Sequence, residues 1–463
     1  MEPNNIVPET KATIEDTLTK AEDQREAIIT DSVKPVSSAE RIKTVDIVRG
    51  VALLGILLMN IPGFGIHWSV YPRIAEGPHN TADYYTLATI ETFFSGTMRG
   101  LFSMLFGAGM ILFTMNKKDI PGGVPVAEFY YRRLLWLVLF GVINAYILLW
   151  PGDILYYYGL AGMLLFPFRK MTAKWLLALG VVCIIIGALK TQWWYNEMAD
   201  TRKGYKEAIA AEKAGKPLTD EQKQDKTAWL EMEKNRKPNP EQVNEAVTKM
   251  HSGYGTIFNY FIPRNSNSET WGAYHGVWDS LSMMFIGMGL FVLGFFSNKV
   301  STSTYIMALA VGYGLGIPIG WIMFKHGAIP FNLTLGTYID RYSVPHWVLY
   351  DIRRVLLCLG HASLILLVFR SRIIPWLMKG LASVGQMAFT NYLMQSIICT
   401  LIFYGYGLNN YNNLAFHELY YVVAGIWIFQ IIFSAIWLQY FRFGPFEWVW
   451  RSLTYWKRQP MKT

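Results

Sequence analysis

Ionisable and polar side chains recur inside long apolar stretches of this sequence, where a centrally placed Asp, Arg or Lys costs about 2.5–3.5 kcal/mol to insert into lipid. Each therefore needs a partner or a wet cavity. In "RIKTVDIVRGVALLGILLMNIPGFGIHW", residues 41 to 68, Asp46 and Arg49 are three apart and share a helical face near one end, while Asn60 and His67 stand at the other. Arg99, in "FFSGTMRGLFSMLFGAG", keeps its proton and requires a carboxylate, carbonyls or an anionic ligand. Asp153, in "WPGDIL", precedes a helix start, where its carboxylate can cap free amides or face an outer cavity. In "HWVLYDIRRVLLCLGHASLILLVF", Asp351, Arg354, Cys358 and His361 fall at helical spacing, so one stripe bears acid, base and imidazole. That stripe is either an internal ion pair beside a hydrogen-bonded histidine or the wall of a site or proton route. His275 and Asp279, four apart, suit an oriented imidazole or a metal pair. No H-E-x-x-H, clustered Cys and His, P-loop or G-x-S-x-G element accompanies them, so neither a bound metal nor ATP hydrolysis is expected.

The elements that must hold these groups are membrane helices. The chain has 463 residues, 52% of them hydrophobic, and its apolar residues fall in blocks of about 20, the length that crosses ~30 Å of hydrocarbon. Backbone groups in lipid must be satisfied within the segment, so an all-α polytopic bundle is expected. About ten spans are predicted, near residues 45–66, 90–115, 128–149, 154–168, 174–194, 278–297, 302–323, 347–369, 381–405 and 418–440. Cations gather at alternate ends: Arg41 and Lys43; Lys117, Lys118, Arg132 and Arg133; Arg169, Lys170 and Lys174; Lys299; Arg370, Arg372 and Lys379; and Arg442, Arg451, Lys457 and Arg458. The positive-inside rule then places both termini in the cytoplasm. The net charge of +9 is explained by this inner anchoring, and no nucleic-acid partner is expected.

Five segments follow. Residues 1–40 carry nine acids against four bases and no signal-peptide pattern, and read as a disordered or weakly helical cytoplasmic tail. Residues 41–195 and 251–456 form two membrane halves, and 457–463 is a second cytoplasmic tail. Between the halves, residues 196–250 hold eleven bases and eleven acids in runs of helical composition, a charged periplasmic insertion that covers the outer mouth, contacts a partner or acts as a spacer. Cys183, Cys358 and Cys399 lie in apolar blocks without ligand spacing and read as packing residues. Membrane lipids are the expected partners, together with a second copy of the chain as a homodimer.

The stretches "VDIVRGVALLGILLMN", "RRLLWLVLFGVINAYILLWPGDILYYYGLAG", "GQMAFTNYLMQS" and "FGPFEWVWRSLTY" resemble the YeiB family of bacterial inner-membrane proteins, whose C-terminal half is a domain of unknown function. The first helix is also similar to that of the membrane-bound heparan-alpha-glucosaminide N-acetyltransferases, which share an Asp-x-x-Arg-Gly start followed by an Asn and an outer His. That likeness implies acyl transfer from a cytosolic acetyl-CoA, or another acyl-CoA, to a sugar or lipid on the far side. Asp46, Arg49, Gly50 and Asn60 match the pattern in place, whereas His67 comes sooner after Asn60 than the pattern has it. Asn144 stands where many relatives carry a His. On this resemblance His67 or His275 acts as base or acyl acceptor, Asn60 donates to the oxyanion, and Arg49, Arg99, Arg132 and Arg133 hold the coenzyme phosphates. Two other classes compete: a small-solute transporter using the Asp351–His361 stripe, and a non-enzymatic lipid-binding protein.

Overall fold

A computed structural model describes residues 42–115, 125–236, 239–326 and 335–462. The expected tail at 1–40, Arg41, Lys117 and Lys118 lie outside the described residues.

Helix α1 (Lys43–Gly65) is the axis of the bundle: its 23 residues reach about 35 Å, and 72% of its apolar stretch is buried. It is followed by the short α2 (Val70–Glu76) and α3 (Ala82–Thr89), then by a π turn at Ile90–Phe94 that ends at Gly96. Gly96 has φ +71, and a Cβ there would lie 1.9 Å from the Tyr350 hydroxyl, so only glycine fits the break that restarts the chain as α4 (Thr97–Met115). Helix α5 (Val126–Val142) runs into a second π turn at Ile143–Ile147, and the chain returns as α6 (Leu155–Leu165). The corner between them is pinned by Trp150, stacked on Phe64 at the far end of α1 with ring centroids 3.8 Å apart.

Helix α7 (Ala173–Lys213) has 41 residues, about 60 Å, roughly twice what a bilayer core needs. It carries the chain straight from a membrane-length segment into the charged insertion, without a break at 195–196. Helix α8 (Asp220–Arg236) folds back on it, with Trp229 fully buried and the Arg202 guanidinium over its ring at 4.8 Å. After α9 (Pro240–Met250) and α10 (Tyr254–Asn267), the second half comprises α11 (Ala273–Val292), α12 (Thr302–His326), α13 (Leu335–Arg341), α14 (Tyr350–Ser371), α15 (Pro375–Gln386), α16 (Ala388–Phe403), α17 (Leu419–Tyr440) and α18 (Pro445–Tyr455). The described residues form no strand, and the only β pairing is an isolated bridge between Phe441 and Lys462.

The fold is all-helical, as the sequence implies. Among the described residues, six helical stretches are long and apolar enough to cross a membrane: those at Lys43–Gly65, Ala82–Met115, Ala173–Lys213, Thr302–His326, His346–Ser371 and Leu419–Tyr440. The other four expected spans are short or interrupted, and the expectation of about ten full spans is not met by length. Block 128–149 divides at the π turn, 154–168 holds an eleven-residue helix and a 3-10 turn, 278–297 gives a shorter apolar helix, and 381–405 breaks at Met387. The apolar stretches of α7, α12 and α17 are only 22%, 17% and 22% buried, which puts these helices at the lipid-facing rim. Around α1 the backbones meet directly: a Cβ on Gly50 would stand 2.0 Å from the Leu381 carbonyl, and one on Gly385 1.9 Å from that of Asp46.

The insertion is tied to α13 by charge. Asp340 accepts from Arg202 at 3.1 Å and Lys206 at 2.6 Å. Burial alone would raise its carboxyl, but these two partners hold it below the ordinary 3.8. A depressed folded value means that this stabilisation is present above the ordinary value and is lost as the pH falls below it. Hydrogen exchange over residues 220–236, corrected for its intrinsic pH dependence, is expected to quicken below about pH 4. In Asp340→Asn it should be quicker already at neutral pH and lack that acid step.

Candidate functional site

The N-terminal halves of α1, α5, α16 and α18, the first turn of α6 and the C-terminal two thirds of α4 line a cavity of about 240 Å³ at the end of the bundle where the cations collect. Asp46 and Arg49, one helical turn apart, pair at 2.9 Å and line it. Arg133 enters from α5 with its guanidinium 4.1 Å over the ring of Trp450, whose indole N–H donates to the Arg133 carbonyl at 2.9 Å. Glu447 and Arg451, again one turn apart, enter from α18. Three guanidiniums thus line the cavity with two carboxylates, and both carboxylates are engaged: Asp46 by Arg49, and Glu447 by the Phe389 N–H at 2.7 Å, the Thr390 N–H at 3.0 Å and the Thr390 hydroxyl at 2.5 Å. Glu447 caps the start of α16, and among the described lining residues cations outnumber carboxylates by three to two. The inner walls are apolar, from Phe102, Phe106, Met110, Phe113, Leu137 and Phe389. An anionic head with an apolar tail matches this distribution of charge and surface.

At the closed end stand Tyr158 and Tyr392. The Tyr392 hydroxyl donates to Asp153 at 3.3 Å, and Asp153 also accepts from the Asn144 amide at 2.7 Å and the Tyr156 N–H at 2.9 Å. The last bond is the helix-start capping that "WPGDIL" suggests. Asn144, an amide where the resemblance has an imidazole, serves Asp153 as a donor.

The remaining sequence candidates separate into two other places. Arg132 neighbours Arg133 but points elsewhere, pairing with Glu128, donating to the Thr454 carbonyl at 3.2 Å and stacking on Trp456 at 4.1 Å. Arg99 pairs with Asp279 at 3.0 Å, and Asp279 is also held by Arg354, which reaches Asp351 at 2.7 Å. Further down that stripe His361 is fixed at both nitrogens, Nε2 against the Phe93 carbonyl at 3.0 Å and Nδ1 against the Tyr313 hydroxyl at 2.8 Å. A carbonyl only accepts, so Nε2 carries the proton and Tyr313 donates to Nδ1. Arg353 is absent from the sequence candidates, yet it donates to the carbonyls of Glu91 and Ser95 and holds the break before α4.

At the other end of α1, Asn60 is half-buried; it lines none of the described cavities and makes no side-chain hydrogen bond among the described residues. His67 lies past the helix in a cleft formed with α9, its Nδ1 accepting from the Ser69 N–H at 3.3 Å and lying 3.0 Å from the Ser69 hydroxyl. Burial, followed by the charges of Arg264 and Arg73, holds it below the ordinary 6.5, so it is neutral at pH 7. With Nδ1 accepting, its proton sits on Nε2. His275 falls in the first turn of α11, and its side chain lies outside the described residues. No group of three or more metal-ligating side chains occurs among the described residues.

Membrane-length helices around a cation-mouthed internal cavity define a polytopic membrane protein with an amphiphile-shaped site. Within that class the chain belongs to the YeiB family. It is 30% identical to the uncharacterized protein YeiB of Escherichia coli (strain K12) over 90% of this chain and 96% of that protein. It is 28% identical to the uncharacterized protein YxaH of Bacillus subtilis (strain 168), over 93% and 98%. Residues 290–457 match a family model described as a protein of unknown function, DUF418. That region supplies Glu447 and Arg451, while Asp46, Arg49 and Arg133 precede it. No solved structure matches the chain.

Proposed function

We propose that the protein is a bacterial inner-membrane acyltransferase that draws an acyl-CoA into the cavity from the cytoplasm and passes the acyl group to a sugar or lipid acceptor on the outer side. The observation that carries this reading is the convergence of Arg49, Arg133 and Arg451 on one apolar-walled cavity. Guanidiniums bind phosphate through parallel N–H donors, and the apolar walls receive the chain behind it. The cations of the same end, among them Lys43, Arg132, Arg169 and Arg370, orient it toward the cytoplasm, with both termini inside.

In the transfer, an acceptor hydroxyl or amine adds to the thioester carbonyl, the carbon–sulfur bond breaks, and the thiol departs with the acceptor's proton. Arg49 and Asn60 are eleven residues apart on one helix, about 16 Å, so the donor must extend along α1 to be met from the outer side. Asn60 lines none of the described cavities, so the closed end at Tyr158 and Tyr392 must open before its amide can donate to the oxyanion there. His67, protonated on Nε2, stands on the acceptor side in its resting tautomer. The charged stripe of α14 supports transport poorly, because Asp351 and His361 are both committed to partners.

Binding of radiolabelled acetyl-CoA and longer acyl-CoAs to protein in nanodiscs tests the proposal. Losing one charge-assisted contact of about 1.5–3 kcal/mol in Arg133→Ala should weaken binding roughly 10- to 100-fold, whereas Arg132→Ala should change it little. Absence of binding, together with no label transferred to envelope extract, would remove it.

A further inference from the structure

The cleft beside His67 is built by the insertion. Residues 67 and 68 form one side, the outward face of α9 forms the other, and Tyr260 of α10 closes the end, around about 270 Å³. The cleft is half-open and has room for a small polar ligand. Its chemistry differs from that of the cationic cavity. Lys249 and Glu245 pair at 2.7 Å across one turn of α9, so the charges lining the cleft cancel. What remains is an aromatic face and amide groups. Trp68 leaves 47% of its surface exposed. Asn239 spends its carbonyl oxygen on the Glu241 N–H at 3.0 Å, which leaves its NH₂ to donate. Gln242 makes no hydrogen bond among the described residues, and His67 presents Nε2–H because Ser69 occupies Nδ1.

We infer that this cleft binds a neutral pyranose, with Trp68 against the apolar face of the ring and Asn239, Gln242 and His67 bonding its hydroxyls. An indole platform surrounded by amide donors without net charge suits a ligand that has one C–H face and a polar edge. A phosphate or carboxylate ligand would find no uncompensated cation among the lining residues. As the acceptor end of an acyl transfer the cleft rests on the function proposed above, but as a binding site it stands apart from it. The insertion thereby acquires a purpose, because α9 supplies half of the wall.

Saturation-transfer NMR on the full chain in nanodiscs, without acyl donor, tests this with N-acetylglucosamine and glucose, and with a monoglucosyl lipid in the disc as competitor. Transfer to sugar ring protons is expected in the wild type, lost in Trp68→Ala, retained in Trp68→Phe and at least halved in the surface variant Gln242→Ala. Competition by the glucosyl lipid assigns the pyranose to a lipid headgroup, and its absence to a free sugar; both outcomes uphold the site. Absence of transfer to either sugar, undiminished transfer in both Trp68→Ala and Gln242→Ala, or displacement by inorganic phosphate overturns it. Sugar binding without acyl transfer keeps the site and removes the enzyme. Acyl transfer indifferent to both variants does the reverse.

Discussion

Replacing Arg354 by alanine is expected to destabilise the protein by about 3–5 kcal/mol, the cost of stripping a buried charge of its partner. Its side chain is 1% exposed, it joins Asp279 to Asp351, and its stem packs against Gly100, where a Cβ would stand 3.2 Å from the Arg354 Cγ. Truncation leaves Asp351 without its ion-pair partner, leaves Asp279 with Arg99 alone, and opens a void between α4 and α14. Arg99 provides the internal comparison. It binds the same Asp279 through one ion pair, against the two that Arg354 makes, and its loss leaves Asp279 still held by Arg354, so Arg99→Ala should cost clearly less than Arg354→Ala. Thermal unfolding in nanodiscs should rank wild type, Arg99→Ala and Arg354→Ala in that order. Equal shifts would show that the network is solvated and that Arg354 is not its keystone. Asp351→Asn, which keeps the geometry and removes one charge, should fall between the two.

The same ion network shows what the sequence discloses and what it withholds. Helical spacing alone places Asp351, Arg354, Cys358 and His361 on one stripe; Arg354, Cys358 and His361 are buried and Asp351 is half-buried. Apart from the Asp351–Arg354 pair, their partners come from α4, α11 and α12 and from the π turn before α4, at sequence separations that no local pattern reports. Likewise Arg132 and Arg133 are indistinguishable as neighbouring inner cations. Their roles diverge because adjacent residues on a helix point about 100° apart and only one direction meets Trp450 of α18. The six long spans follow from apolar length, which is a local property. The broken ones do not, since residues 381–405 have the length of a span and the Gly385–Gln386 pair before Met387 resembles the small and polar residues found inside unbroken spans. For His67, the type and position are legible, but the tautomer is set by a turn at Ser69, and the facing wall is supplied by a helix some 170 residues later.

The break at Met387 leads to the second large effect. A helix that restarts within the bundle exposes N–H groups that lipid cannot satisfy, so something must cap it. Glu447, only 9% exposed, does so with three hydrogen bonds to Phe389 and Thr390, and the Thr390 hydroxyl in turn accepts from the Phe446 N–H at 3.1 Å. This gives the "FGPFEW" segment a physical role: α18 is fastened to α16 through its first turn, and the fastening sets where Trp450 and Arg451 stand at the cavity mouth. Glu447→Ala orphans two buried backbone donors at about 1–3 kcal/mol each, so a loss of about 2–6 kcal/mol is expected. Glu447→Gln keeps one acceptor oxygen and should lose roughly half as much. Stability and acyl-CoA affinity should fall together along the series wild type, Gln, Ala, because the cap holds the arginines in place without touching the ligand. A Glu447→Ala protein of unchanged stability that nevertheless lost its ligand would mean the carboxylate contacts the ligand directly. The positive mouth of the cavity would then need a different account, because Glu447 would have to be released from the helix it caps before it could bind anything.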